Sequence, residues 1–238
     1  MAKYKGVFER VEKKYLLTLS QAQSLVQSLD GRMEADSYGK HTIVNVYYDT
    51  PDFELIRKSL DRPKYKEKLR MRSYGVPKAE DRVFVELKKK VDGVVYKRRA
   101  AMTLSQGERY LNTGKKPGED SQILREIDYA MNFYGVQPMM VVAYDRVALT
   151  CPSDPEFRVT FDKAIRYRTT ELSLGRGSHG RLILPMDQTL MEVKTMGALP
   201  LWFSGILNQN KIYPTTFSKY GKAYADMRKG QMGGRNVA

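Results

Sequence analysis

Between Tyr65 and Tyr74 every second residue from Lys66 to Arg72 is basic, with Leu69 and Met71 standing between the later ones. Successive side chains of a β-strand point to opposite faces, so Lys66, Lys68, Arg70 and Arg72 would share one wholly cationic face. Like charges at neighbouring positions of a sheet repel, so such a ladder is costly unless an anion lies beside it. The same parity recurs along the chain. Arg10, Glu12 and Lys14 share a face, and Glu86, Lys88 and Lys90 oppose Val83, Val85 and Leu87. Arg158, Thr160 and Asp162 oppose Val159 and Phe161, while Glu192 and Lys194 oppose Met191 and Val193. The stretch from Val94 to Arg99 adds Lys97 and Arg99, or Arg98 if a bulge shifts its register. A solvent-facing antiparallel sheet would account for any one of these strands. Solvent faces normally mix both signs with neutral polar residues, however, whereas the ladder from Lys66 to Arg72 is wholly basic. It predicts an α+β fold: an antiparallel β-barrel with a charged interior, its apolar outer face covered by helices.

Charge narrows the partners. Of 238 residues, 41 are Lys or Arg and 27 are Asp or Glu, a formal net charge of +14. A surplus of that size favours nucleic acid, an anionic membrane, or a phosphate-rich small molecule or polymer. Nucleic acid is disfavoured, because the basic residues alternate along many strands instead of interleaving with aromatics on one groove. No stretch approaches the roughly 20 apolar residues of a membrane span. Charges interrupt MAKYKGVFERVEKK too often for a signal peptide. Cys151 stands alone and His41 and His179 are the only histidines, so neither a disulfide framework nor a His-rich or thiolate metal site is expected. A cytoplasmic setting follows as the default.

Local signals divide the chain further. Thr18-Leu19-Ser20-Gln21 and Thr103-Leu104-Ser105-Gln106 both fit a capping box and predict a helix after each. Gln122 to Tyr134 is amphipathic with Gly135 as its stop, and Asp52–Leu60, Leu201–Asn208 and Phe217–Lys229 also read as helices. Strands are expected from Val7 to Leu17, His41 to Tyr48, Arg82 to Val91, Met139 to Thr150, Phe157 to Arg168, Leu182 to Pro185 and Thr189 to Thr195. Asp92-Gly93 marks a tight hairpin. Leu201, Trp202, Phe203, Ile206 and Leu207 read as one buried helix face. Gly175 to Gly180 fits G-x-G-x-x-G, but a strand-like segment follows where a dinucleotide fingerprint needs a helix. It reads as a mobile hairpin loop. The absence of a linker predicts one domain over residues 1–229 and a flexible tail over 230–238.

Seven segments then occur in one order: Arg10-Val11-Glu12-Lys13-Lys14-Tyr15, Tyr47-Tyr48-Asp49-Thr50, Lys68-Leu69-Arg70-Met71-Arg72, Phe84-Val85-Glu86-Leu87-Lys88, Tyr144-Asp145-Arg146, Met191-Glu192-Val193-Lys194 and Phe217-Ser218-Lys219-Tyr220. In that order they resemble the VTC (vacuolar transporter chaperone) domains. These polyphosphate polymerase-like proteins belong to the triphosphate tunnel metalloenzymes, or CYTH-like proteins. The resemblance covers nearly the whole chain. It implies phosphate binding by Lys14, Arg70, Arg72, Lys88, Lys97, Arg146, Arg158, Ser218 and Lys219. It implies a metal-binding Glu192, with Glu12 and Glu86 as helpers, and Mn²⁺ or Mg²⁺ as the cation. Lys219, Glu192 and Arg146 are the implied catalytic set.

The activity implied is transfer of the γ-phosphoryl of ATP, or another nucleoside triphosphate, onto a polyphosphate chain. Such chemistry needs positioning and charge neutralisation more than a side-chain nucleophile. Hydrolysis of triphosphate or nucleoside triphosphates is the alternative enzymatic reading, and a non-catalytic polyphosphate or inositol-phosphate module the other. Two departures bear on the choice. The hydrolases begin with Glu-x-Glu-x-Lys where this chain has Arg10, which favours the VTC branch. The polymerases carry a Lys where this chain has Thr216, which favours the binding module.

Overall fold

The structure, a computed structural model, describes residues 10–36, 38–61, 63–92, 94–118 and 120–233. Along the chain run β1 (Arg10–Leu17), α1 (Leu19–Leu29), β2 (Glu34–Ala35), β3 (His41–Asp49), α2 (Glu54–Leu60), β4 (Tyr65–Tyr74), β5 (Arg82–Val91), β6 (Val94–Thr103) and α3 (Leu104–Thr113). There follow α4 (Gln122–Tyr134), β7 (Gln137–Cys151), β8 (Asp154–Arg168), β9 (Arg181–Leu182), β10 (Thr189–Met196), α5 (Leu201–Gln209), β11 (Pro214–Thr215) and α6 (Lys219–Gly233).

The chain divides into two compact units. The first takes the described residues up to His41, Asp145–Ala164 and Leu184–Phe217. The second takes Thr42–Tyr144, Ile165–Ile183 and the described residues from Ser218. Their boundary falls inside β7 and β8, so neither unit is a contiguous piece of chain.

In the first unit the strand order is β11-β1-β10-β8-β7, with β2 on β7. The apolar residues of β1, β8 and β10, namely Tyr15, Leu17, Phe157, Val159, Met191 and Val193, pack into one core with Leu25 and Leu29 of α1 and Phe203 of α5. In the second unit the order is β7-β3-β4-β5-β6. Val44, Val46, Leu69, Met71, Val83, Val85 and Leu87 meet Tyr110 of α3 and Ile127 of α4. Each fully buried aliphatic side chain of this kind contributes about 1.5–3 kcal/mol. A slip of one residue would turn Leu69 and Met71 outward and press Lys68 and Arg70 under the helices. The apolar face thus fixes which way the charged face points. Among the described residues the sheet is not closed, so the barrel expected from the sequence is not confirmed. β11 ends one order and β6 the other, and among the described residues neither has a second partner strand.

Both capping boxes form. The Thr18 and Thr103 hydroxyls accept from the Gln21 and Gln106 amides, and each glutamine side chain returns a bond to its threonine backbone. Such caps are worth about 1 kcal/mol apiece. Helix α4 ends at Gly135, whose φ of 60° is the left-handed stop. The β5–β6 hairpin pairs Val91 with Val94, and Asp92 takes φ 44° in its turn; Gly93 lies outside the described residues. So do Val7 to Glu9 of the expected first strand.

Three expectations need correction. Leu201 is 90% exposed, because it is the first residue of α5 and points away from the face that buries Phe203 and Leu207. Helix α6 continues to Gly233, so the first four residues of the expected tail are helical, and 234–238 lie outside the described residues. The glycine-rich segment is not a free hairpin loop. Buried Arg168 donates to the carbonyls of Glu171, Ser173, Gly177 and His179, while Leu174 is fully buried at the head of a 3₁₀ turn, Leu174–Arg176. Its glycines serve this turn: a Cβ at Gly180 would lie 2.5 Å from the Tyr167 carbonyl oxygen. Gly180→Ala should therefore cost at least about 2 kcal/mol, as strained backbone positions do, read as a lowered urea midpoint. An unchanged midpoint would show that this backbone can move aside.

Candidate functional site

The basic ladder lies in the second unit. Register sets Arg70 opposite Glu86, Lys68 opposite Lys88, Glu86 opposite Arg99 and Lys88 opposite Lys97. No bulge intervenes, so Lys97 and Arg99 join the charged face. Arg98 turns to the helix side, where it pairs with Glu126 at 3.0 Å.

Glu86 is the hub of this face. Its carboxylate is 1% exposed and accepts from Arg70 at 2.7 Å, Lys97 at 2.9 Å and Arg99 at 2.6 Å. Burial by itself would raise its pKa, but the charges of Arg70, Arg72 and Lys97 outweigh that and hold the carboxyl well below the usual carboxylate range. Desolvation in the same cluster lowers the Lys97 ammonium to about 8, although Glu86 pulls it the other way.

Beside the hub, Arg72 is stitched into the sheet. Its Nε donates to Asn45 Oδ1 and its Nη2 to the Tyr144 hydroxyl, both at 2.9 Å. Fully buried Asn45 donates in turn to the Val142 carbonyl at 2.9 Å. Arg70 Nη1 donates to the Tyr47 hydroxyl at 3.3 Å. Burial opposes ionisation of that phenol, yet the charges of Arg70, Arg72 and Lys219 lower its pKa on balance.

The start of α6 closes the group. Ser218 Oγ accepts from Lys68 at 3.1 Å and from the Gly221 amide at 3.1 Å, which caps the helix. Lys219 follows as the first helical residue, its Nζ 4.6 Å from the centre of the Tyr144 ring. Tyr220 stacks on Tyr47 with centroids 4.3 Å apart and donates to buried Asp49 at 2.9 Å. The same Asp49 carboxylate accepts the Leu55 and Ile56 amides at the head of α2.

The first unit carries the remaining candidates on a face of mixed sign. Arg146 grips Asp162 with two donors at 2.6 and 2.7 Å and reaches Glu192 at 3.2 Å. Lys14 lies 3.3 Å from Glu12 and 3.8 Å from Glu192, and donates to the Phe217 carbonyl at 2.9 Å. Arg158 is 3.6 Å from Asp36 and more exposed. The structure thus gathers Arg70, Arg72, Lys97, Ser218, Lys219 and Glu86 in one unit, with Lys88 on the same strand face. It gathers Lys14, Arg146, Glu192 and Glu12 in the other.

A divalent cation would need carboxylates that the cations leave accessible. Among the described residues no group of three or more His, Cys, Asp or Glu is placed to hold one. Mg²⁺ in phosphate chemistry commonly takes one or two carboxylates and fills its sphere with water and phosphate oxygens. Glu192 and Glu12, which share Lys14, fit that pattern. The Glu86 oxygens are already engaged by three cations.

Sequence reasoning missed Asn45, Tyr47 and Tyr144 as supports of the arginines. The polar Asn45 inside the apolar run of β3 was the available signal. A separate cleft of about 320 Å³ is lined by residues including Tyr48, Glu108, Asn112 and Arg176, and holds none of the candidates.

Comparisons with known proteins bear on the family and the fold. The family model described as the VTC domain matches residues 9–228. A search of curated protein sequences gives no match. Among solved structures, a candidate adenylate cyclase from Bacillus halodurans is similar at 14% identity and a TM-score of 0.54, over 88% of this chain and 93% of that one. A candidate adenylyl cyclase from Hippeastrum, described as having a dominant triphosphatase activity, is similar at 16% identity and a TM-score of 0.54, over 91% and 96%. At these identities the likeness concerns the fold. No helix among the described residues is long and apolar enough to cross a membrane.

Proposed function

The chain belongs to the VTC domain family, and on that premise we propose that it is a phosphotransferase of the polyphosphate polymerase type. It would move the γ-phosphoryl of ATP, or of another nucleoside triphosphate, onto the end of a polyphosphate chain. The observation that carries this reading is the Glu86 hub. Arg70, Lys97 and Arg99 converge on one carboxylate at hydrogen-bonding distance, on a face that also carries Lys66, Lys68, Arg72, Lys88 and Lys90. Donors so arranged suit the oxygens of a chained phosphate, which arginine forks clamp and lysines neutralise as point charges.

In the step itself, an oxygen of the acceptor's terminal phosphate forms a bond to the γ-phosphorus. The bond from that phosphorus to the β–γ bridging oxygen breaks, and the nucleoside diphosphate leaves. The acceptor oxygen is already ionised, so no side chain need take a proton. Arg70, Arg72 and Lys88 would hold the phosphate chain. Lys219 would neutralise charge on the group in transfer, aided by the amide dipoles at the head of α6. Arg146, which contacts Asp162 and Glu192, would bind phosphate beside them. Mn²⁺ or Mg²⁺, held by Glu192 and Glu12, would supply charge neutralisation on the phosphate oxygens.

Hydrolysis, with water as acceptor, is the second reading, and the activity described for the Hippeastrum protein favours it. Incubation with ATP and Mn²⁺ separates the readings. The expected products are ADP and a phosphate polymer. Free phosphate without polymer assigns hydrolysis instead. Neither product, with triphosphate still bound, assigns a binding module, the role that Thr216 favours. Triphosphate affinity should also fall as salt rises, because charge pairing is screened; a salt-independent affinity would exclude the basic face as the site.

A further inference from the structure

The cationic ladder of β4 does not end on a charge. Tyr74 follows Arg72 at the next position of the same face, and Phe84 follows Glu86 on β5 in the same direction. The two rings meet edge to face with centroids 5.8 Å apart, and Tyr74 is 49% exposed. Arg99 joins this aromatic pair to the hub. Its guanidinium lies 4.5 Å from the centre of the Phe84 ring and contacts Glu86 at 2.6 Å. One arginine therefore spans phosphate-type donors on one side and two rings on the other.

We propose that Tyr74, Phe84 and Arg99 form a nucleobase site, so that the donor bound along this face is a nucleoside triphosphate oriented with its base at the Tyr74 end. The inference rests on the phosphate-binding role proposed for the same face. Tyr74 lies four residue steps along the strand from Arg70, roughly 13 Å at the usual rise. That is a span a ribose and a short phosphate chain can bridge. A base is a flat π-system that stacks on tyrosine rings and arginine guanidinium planes with little regard to its identity. The exposed face of Tyr74 and the Arg99 plane supply both. The half-buried Phe84 holds Arg99 in place from beneath. The polarity matters for the reaction. With the base at Tyr74, the phosphates run past Arg72 and Arg70 toward Lys88, Lys68 and the head of α6.

Two ligands and two variants test this. The fluorescent 1,N6-etheno analogue of ATP and inorganic triphosphate are titrated against wild type, Tyr74→Leu and Tyr74→Phe. The expected result is that Tyr74→Leu weakens the etheno-ATP analogue by about tenfold or more, as loss of one base-stacking ring does elsewhere. Inorganic triphosphate should bind that variant as it binds wild type, and Tyr74→Phe should keep both affinities. Equal weakening of both ligands by Tyr74→Leu would overturn the nucleobase site and leave Tyr74 as a support for Arg99. No change in either ligand would overturn it as well. Failure of wild type to bind inorganic triphosphate would instead remove the phosphate reading beneath it.

Discussion

Glu86→Gln should destabilise the protein by about 3 kcal/mol, the lower range for removing one partner of a buried charge cluster. The variant keeps the shape of the side chain and removes the charge that Arg70, Lys97 and Arg99 share. Those three then face one another with no anion among them. The lower range applies because the Arg70, Lys97 and Arg99 side chains keep 22%, 43% and 35% of their exposure, so solvent screens part of the repulsion. Equilibrium unfolding in urea reads the loss. Inorganic triphosphate should restore more stability to the variant than to wild type, since the ligand supplies the missing negative charge.

The pH dependence has a definite sign. The Glu86 carboxyl is depressed in the folded state, so its stabilisation is complete above the ordinary value of about 4.3 and is lost as pH falls through the folded one. The gap between wild type and Glu86→Gln should therefore close in acid. A gap that persisted unchanged to low pH would mean that the glutamate acts through packing and not through charge.

Glu192→Gln should lower turnover by about a hundredfold, the usual cost of losing one electrostatic contact to a transferring group. The glutamine can still accept from Arg146, which reaches Glu192 at 3.2 Å, so the fold should be kept. What it loses is the charge that, with Glu12, would hold a divalent cation. Polyphosphate binding measured without metal should be unchanged or tighter, because a repelling carboxylate has gone. Lys219→Ala should slow turnover while leaving metal affinity intact. Full activity in Glu192→Gln would move the cation to other carboxylates, and loss of metal-free polyphosphate binding would give Glu192 a role in holding phosphate-binding side chains.

Much of this was legible in one dimension because its physics is local. Alternation between charged and apolar residues on β4, β5, β8 and β10 follows from strand geometry alone, and the structure packs the apolar parity under helices as expected. Both capping boxes and the Gly135 stop are set by residues within one turn, and they appear where the sequence placed them. The family likewise followed from the order of seven short segments.

Tertiary structure decided which charges touch. Sequence parity placed Glu86 among the cations but could not show that one carboxylate serves Arg70, Lys97 and Arg99, because that depends on register across three strands. It could not show that Arg72 is tied to Asn45 and Tyr144, 27 and 72 residues away. Nor could it foresee that Arg168 would gather the carbonyls of a glycine-rich loop. Periodicity reports the face a side chain points to, whereas the partner it meets there depends on which distant strand lies alongside, and at what offset.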